Sequence, residues 1–185
     1  MTTPEQQQLN ERTCLALGRF VIAFSNVLFA LETSTVFLLN ADRNLAQAVL
    51  ADRTARPIAM SFFSLFHARW DNLLTDGDKQ IINCLRTELD YLIDTRNRLM
   101  HDAWLNSTSG DQELREMVTH RARAHRTGVD YKITKYHPDE LEKLAAEARR
   151  ISGKINGFVF YLRPGQIGPE LERRFTITDK KVFRI

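Results

Sequence analysis

At 185 residues, 43% of them hydrophobic and 26% charged, the chain is long enough for one domain with a real core and too apolar for a disordered segment. A formal net charge of +3 and a pI near 9.0 permit an anionic partner without requiring one. Two cysteines, far apart and with no zinc-type spacing, argue against a disulfide scaffold or a metal module.

Cys14 and Cys84 each fall in an apolar helical pattern and read as buried free thiols of a reducing compartment. The polar start Met1–Arg12 has no basic region leading into an apolar run, so it is not a secretory signal. These features predict a cytoplasmic protein.

Pro4 suits a first helical turn, and a long helical pattern follows. Leu17, Phe20, Phe24, Val27, Leu28, Leu31 and Leu38 share one face, while Ile22, Phe29 and Val36 make a second stripe with Ser25 and Glu32 between. A helix apolar on two sides is sandwiched, by its own bundle or by a second subunit. Arg19, Asn26 and Glu32 interrupt the stretch 15–39, which therefore reads as a core helix of a soluble protein and not as a membrane span.

Residues 42–51 predict a short helix. A further helix is expected over Thr54–Asp71, with Pro57 near its first turn and Ile58, Phe62, Leu65 and Phe66 on its apolar face. His67 in that run reads as a core or interface histidine. Thr75 followed by Asp78 forms a capping-box-like start, and the helix after it is expected to run to about Asn106 before Ser107–Gly110 stops it.

The pattern then changes. Residues 113–124 and 129–137 predict two strands joined around 125–128, an inserted basic hairpin spanning 113–137. Pro138 opens a last long helix with the stripe Leu141, Leu144, Ala148, Ile151, Ile155, Phe158 and Leu162, stopped by Pro164-Gly165. Gly153 and Gly157 would permit a close helix approach. Within the extension 164–185, Phe175, Ile177, Val182 and Phe183 suggest a short strand or extended tail. The fold class is mainly α: one domain over 1–185, an antiparallel helical bundle with a β-hairpin before its last long helix.

One feature of the helix from Thr75 breaks the pattern. Leu85, Leu89, Leu92, Leu99 and Ala103 form an apolar stripe, and Arg96 falls in its middle. A cation there must be paired or must face a polar cleft, because burying it alone is costly. Asn97 and His101, four apart, share a neighbouring face, with Asp94 and Asp90 beside them. Glu32 is the obvious partner for Arg96, and Asp90 an alternative in a purely structural reading.

Together these groups supply the parts for metal-independent RNA cleavage. Histidine is the side chain type suited to take or give a proton at cellular pH, so His101 could move the 2′-hydroxyl or leaving-group proton. Arg96 neutralises charge gathering on phosphorus, and Asn97 holds a neighbour without titrating. Five residues on one helix turn Arg96 and His101 about 140° apart, so a second copy of the helix across a symmetry axis would best complete the cleft.

The segment Arg96-Asn97-Arg98-Leu99-Met100-His101 resembles the Arg–polar–His motif of HEPN domains (higher eukaryotes and prokaryotes nucleotide-binding), including the Asn after the Arg. The helical setting of roughly residues 1–110 is similar too, whereas 111–185 is not explained by the family pattern. The resemblance implies a metal-independent, cofactor-free endoribonuclease of toxin–antitoxin or other defence systems. It would be a homodimer acting on RNA, with an antitoxin or other regulatory protein as a further partner. Arg96 and His101 would be catalytic, Asn97 would support them, and Glu32 and Asp94 would stand behind. Some family members are instead non-catalytic modules for dimerisation or for binding a nucleotide or partner. One branch is silenced by adenylylation of a Tyr two places after the His; Ala103 stands there in this chain. Arg121, Arg123, Lys132 and Lys135 of the hairpin would track an RNA backbone, with Tyr131 or Tyr136 stacking on bases. A solvated sheet edge gives the same pattern. His120, His125 and His137 lack metal-ligand spacing, so no metal is expected.

Overall fold

The computed structural model describes residues 4–40, 53–106, 117–125, 128–160 and 171–185, with positions 44, 48 and 50 between. The protein is mainly helical. Helix α1 is Pro4–Leu39, α2 Ala55–Trp70, α3 Asp76–His101 and α4 Pro138–Phe160. Strands β1 (Ala103–Asn106), β2 (Met117–His125) and β3 (Gly128–Lys135) lie between α3 and α4; β4 (Phe175–Thr178) and β5 (Lys181–Arg184) follow α4. Most of the helix expected over 42–51, and the stop at Pro164-Gly165, lie outside the described residues.

The chain forms two compact units, Met1–Ala23 with Asp94–Glu147, and Phe24–Ile93 with Ala148–Ile185. In the first, Ala16, Phe20, Leu99, Leu141 and Ala145 are buried. Arg12 pairs with Asp139 at 3.4 Å and Arg19 with Glu142 at 2.5 Å. Both pairs are exposed and contribute little to stability. His137 begins α4: its backbone N–H donates to the Glu140 carboxylate at 3.1 Å, and its ring Nδ1 accepts from the Asp139 N–H at 3.3 Å.

The sheet of this unit has the order β1-β2-β3, antiparallel throughout. The expected hairpin is therefore the larger part of a three-stranded sheet. The extra strand comes from 103–106, which the sequence pattern assigned to the end of α3. Apolar Ala103, Trp104 and Leu105 suit either conformation, and pairing with Met117–His120 decides for the strand.

The second unit is built on aromatic contacts. Phe66 lies 6.1 Å from Phe62, 5.1 Å from Trp70 and 6.2 Å from Phe158, and Phe158 meets Phe175 edge-on at 4.9 Å. Such pairs add to plain area burial and tie α2, α4 and β4 together. Arg69 donates to the Leu38 carbonyl at 3.2 Å, satisfying a free acceptor at the end of α1. Asn40 follows in the left-handed region, φ 49°.

Thr75 and Asp78 form the reciprocal cap expected of them. The Asp78 N–H donates to Thr75 Oγ1 at 3.0 Å, and the Thr75 N–H to Asp78 Oδ2 at 3.3 Å. Asp78 is buried and its other oxygen accepts the Glu172 N–H at 3.0 Å, so one carboxylate starts α3 and anchors the chain before β4.

The expected extended tail is a hairpin, with Phe175 opposite Arg184 and Thr178 opposite Lys181. Its two-residue turn, Asp179 and Lys180, has φ of 49° and 59°, the positive angles that match strand twist. The hairpin docks through charge. Glu88 of α3 accepts from Arg150 Nη2 and, at 2.7 Å, from the Val182 N–H; Arg150 Nη1 donates to the Val182 carbonyl at 2.8 Å. Lys154 Nζ lies 3.7 Å from Glu88 and 5.1 Å from the Phe183 ring centroid. The Cys84 thiol donates to the Lys180 carbonyl at 2.9 Å.

Several sequence expectations change here. Both cysteines are free, but Cys14 is exposed and Cys84 half-buried. Apolar residues of α1 occur on its exposed side as well as on its buried side, so an apolar neighbourhood in the sequence does not imply burial. Ile22 and Phe29 of the second stripe are exposed, with Val36 half-buried. Gly153 has nothing within 4 Å of a built Cβ, so no helix approaches closely there. His67 is not a core residue: it is half-buried and faces Asp71 at 3.3 Å. Finally, Gln7–Leu39 is long and apolar enough to cross a bilayer by length and composition alone. Of that apolar window 39% is buried: Phe20, Val27 and Leu31 are enclosed, whereas Leu15, Ile22 and Phe29 are exposed.

Candidate functional site

The site is carried by the last two turns of α3, within the first unit. Leu85, Leu89, Leu92 and Leu99 are buried as the stripe predicts. Arg96, on that same stripe, is half-buried. Its Nη1 donates to Asn97 Oδ1 at 3.3 Å, so the two residues form a fixed polar pair. Asn97 is half-buried, Asp94 is exposed, and His101 is exposed as the final residue of α3. The helix closes there with the Asp102 N–H donating to the Arg98 carbonyl at 3.0 Å. Arg96 turned inward and His101 turned outward is what five helical residues dictate.

Arg98 is a residue that sequence reasoning passed over. Its Nη2 donates to Thr95 Oγ1 at 3.0 Å, and Thr95 is buried. Its Nε is buried without a hydrogen-bond partner among the described residues. A second guanidinium thus lies one turn from His101 on the same helix. The Arg-Asn-Arg sequence was the visible signal.

The other expected residues are placed as follows. Glu32 is half-buried on the part of α1 that belongs to the second unit, whereas Arg96 belongs to the first. Asp90 faces Arg56 of α2 at 3.5 Å. In the sheet, Arg121 stands opposite Lys132, but Arg123 stands opposite Asp130 and Lys135 opposite Val118. The backbone register therefore sets two cationic residues at one rung only. His120 is the register partner of Ala103, two residues beyond His101.

The second unit holds an open hollow of about 540 Å³ lined mainly by Leu39, Leu50, Pro57, Met60 and Leu65. Arg53, Thr35, Ser61 and Ser64 complete its lining, and among the described residues it contains no carboxylate or imidazole.

No family model matches this chain, and no curated protein or solved structure matches it either. The functional reading therefore rests on the residues themselves.

Proposed function

We propose that the protein is a metal-independent endoribonuclease of HEPN type, working in the cytoplasm as a homodimer. The observation that carries this reading is the Arg96–Asn97 pair, half-buried and hydrogen-bonded, one turn before an exposed imidazole at a helix end. A guanidinium held in place this way is preorganised for charge that appears only in a transition state.

In the proposed reaction, neutral His101 takes the proton from a ribose 2′-hydroxyl, and the oxygen attacks the adjacent phosphorus. Arg96, with Arg98 nearby, balances the charge of the five-coordinate species. The 5′-oxygen leaves with a proton from a second imidazolium, most simply the copy of His101 on the other subunit. The products are a 2′,3′-cyclic phosphate and a 5′-hydroxyl. In-line attack needs a flexible backbone, which favours single-stranded or loop RNA. The Arg121–Lys132 rung offers cationic residues for the flanking phosphates. A ribonuclease of this kind fits a toxin or defence role, held in check by an antitoxin or another regulatory protein.

The test is direct. Purified protein should cut single-stranded RNA in excess EDTA, leave a cyclic phosphate end and spare DNA of the same sequence. A need for added divalent metal, or equal cutting of DNA, would defeat the proposal. A second reading follows from the same bond: an Arg96 engaged with Asn97 also suits a non-catalytic HEPN-like module. That reading expects no cleavage and a loss of assembly or partner binding in Arg96→Ala.

A further inference from the structure

Helix α1 carries an apolar line that no described part of the chain covers. Leu15, Ile22 and Phe29 recur every seven residues and are 56%, 67% and 62% exposed. Val36 extends the line half-buried, and Phe37 beside it is 39% exposed. Single exposed apolar residues are ordinary; a row of large ones along one helix is not. A repeat of seven keeps one face turned toward a partner that is itself a helix. A helix lying on a lipid surface is bordered by basic residues along its length, whereas this row is bordered by both signs in equal number, Glu11, Arg12, Arg19 and Glu32, with Ser25, Asn26 and Thr33 between them.

We infer that this face packs against the same face of a second copy, antiparallel, with the two-fold axis passing between Ser25 and Asn26. About that axis position n meets position 51 − n. Ile22 then meets Phe29, Leu15 meets Val36 and Gly18 meets Thr33, and each contact occurs twice. Gly18 has nothing within 4 Å of a built Cβ, so its side of the helix is open to a neighbour. Charge selects the direction. Parallel pairing would set Glu32 level with Glu32 and Arg19 level with Arg19. Antiparallel pairing sets each Arg19, which also bonds Glu142 of its own chain, level with the opposing Glu32. It also opposes the two helix dipoles favourably. Polar Ser25 and Asn26 at the centre fix the register at some expense of affinity.

A seam of this length falls at the low end of specific interfaces, which bury about 1,200 Å² in total, and a micromolar dissociation constant is expected. The inference rests on the homodimer of the proposed function and adds its interface: a dimer that persists in Ile22→Glu defeats this interface alone, whereas a dimer that fails to cut RNA defeats the ribonuclease reading alone. Light scattering of the full chain across a dilution series should show a monomer–dimer equilibrium. Ile22→Glu should be monomeric throughout with an unchanged far-UV circular dichroism spectrum, since the residue is exposed.

Direction is read by cross-linking in a chain carrying Cys14→Ser and Cys84→Ser. Added Ser25→Cys, next to the axis, should give an inter-chain disulfide under mild oxidation. Added Leu15→Cys should not, because its two copies stand about 30 Å apart at roughly 1.5 Å per residue. Adding Leu15→Cys and Val36→Cys together should restore the cross-link. Four results would overturn the inference: a wild-type chain that stays monomeric, an Ile22→Glu chain that still pairs, efficient cross-linking through Leu15→Cys alone, or sedimentation of wild type with anionic phospholipid vesicles that Ile22→Glu abolishes.

Discussion

Replacing His101 with alanine is expected to lower RNA cleavage at neutral pH by about two to four orders of magnitude, the usual contribution of a positioned acid or base. The fold should survive. His101 is exposed at the end of α3, and an exposed substitution of this kind changes stability by within about 0.5 kcal/mol. An unchanged melting curve beside a lost cyclic-phosphate product would separate chemistry from structure. Arg96 calls for a graded comparison. Arg96→Lys keeps the charge but loses the planar fork and the geometry of its bond to Asn97, so it should recover only a small part of the rate lost in Arg96→Ala. Cleavage at the wild-type rate by His101→Ala would remove the catalytic assignment.

The largest effect on stability is expected at Glu88. Its side chain is 7% exposed and answers three donors or cations at once: Arg150, Lys154 and the Val182 N–H. Glu88→Ala removes the carboxylate that faces the Lys154 ammonium, itself 6% exposed, and the Arg150 guanidinium, and orphans a strand N–H. Breaking one side of a buried ion pair costs about 3–5 kcal/mol. Urea unfolding should show a midpoint shift of that size, and limited proteolysis should begin in the β4–β5 hairpin. Lys154→Met should behave oppositely. Lys154 Nζ is buried with no hydrogen-bond partner among the described residues and lies 5.1 Å from the Phe183 ring centroid, so an apolar side chain of similar length should be neutral or stabilising. A loss below about 1 kcal/mol in Glu88→Ala would show that the hairpin does not depend on this carboxylate.

Local chemistry was the most legible part of the sequence. Thr75 and Asp78 lie within one turn, and their spacing alone specifies a reciprocal cap. The leucine stripe of α3 was legible for the same reason, and so was the position of Arg96 upon it. Features set by distant partners were not. Residues 103–106 continue an apolar pattern that helix and strand share, and only pairing with β2 separates them. Glu88 carries no local signal in the sequence, because its partners Arg150 and Val182 are 62 and 94 residues away. The β4–β5 turn was hidden because Asp179-Lys180 lacks the glycine that usually marks such turns. On α1 the second stripe was visible in the sequence, but its exposure was not.

The two thiols differ in a way that hands the experimenter a tool. Cys84 is half-buried and its S–H donates a hydrogen bond to the Lys180 carbonyl; burial pushes its pKa up, Glu88 pushes further, and Arg150 only partly opposes them. At neutral pH it is held as the unreactive thiol, whereas Cys14 lies open to solvent. A maleimide fluorophore should therefore attach almost wholly at Cys14 in the native protein and reach Cys84 only once denaturant frees the hairpin. Mass spectrometry of the labelled peptides would record that order, and the late-reacting sulfur becomes a built-in clock for local opening.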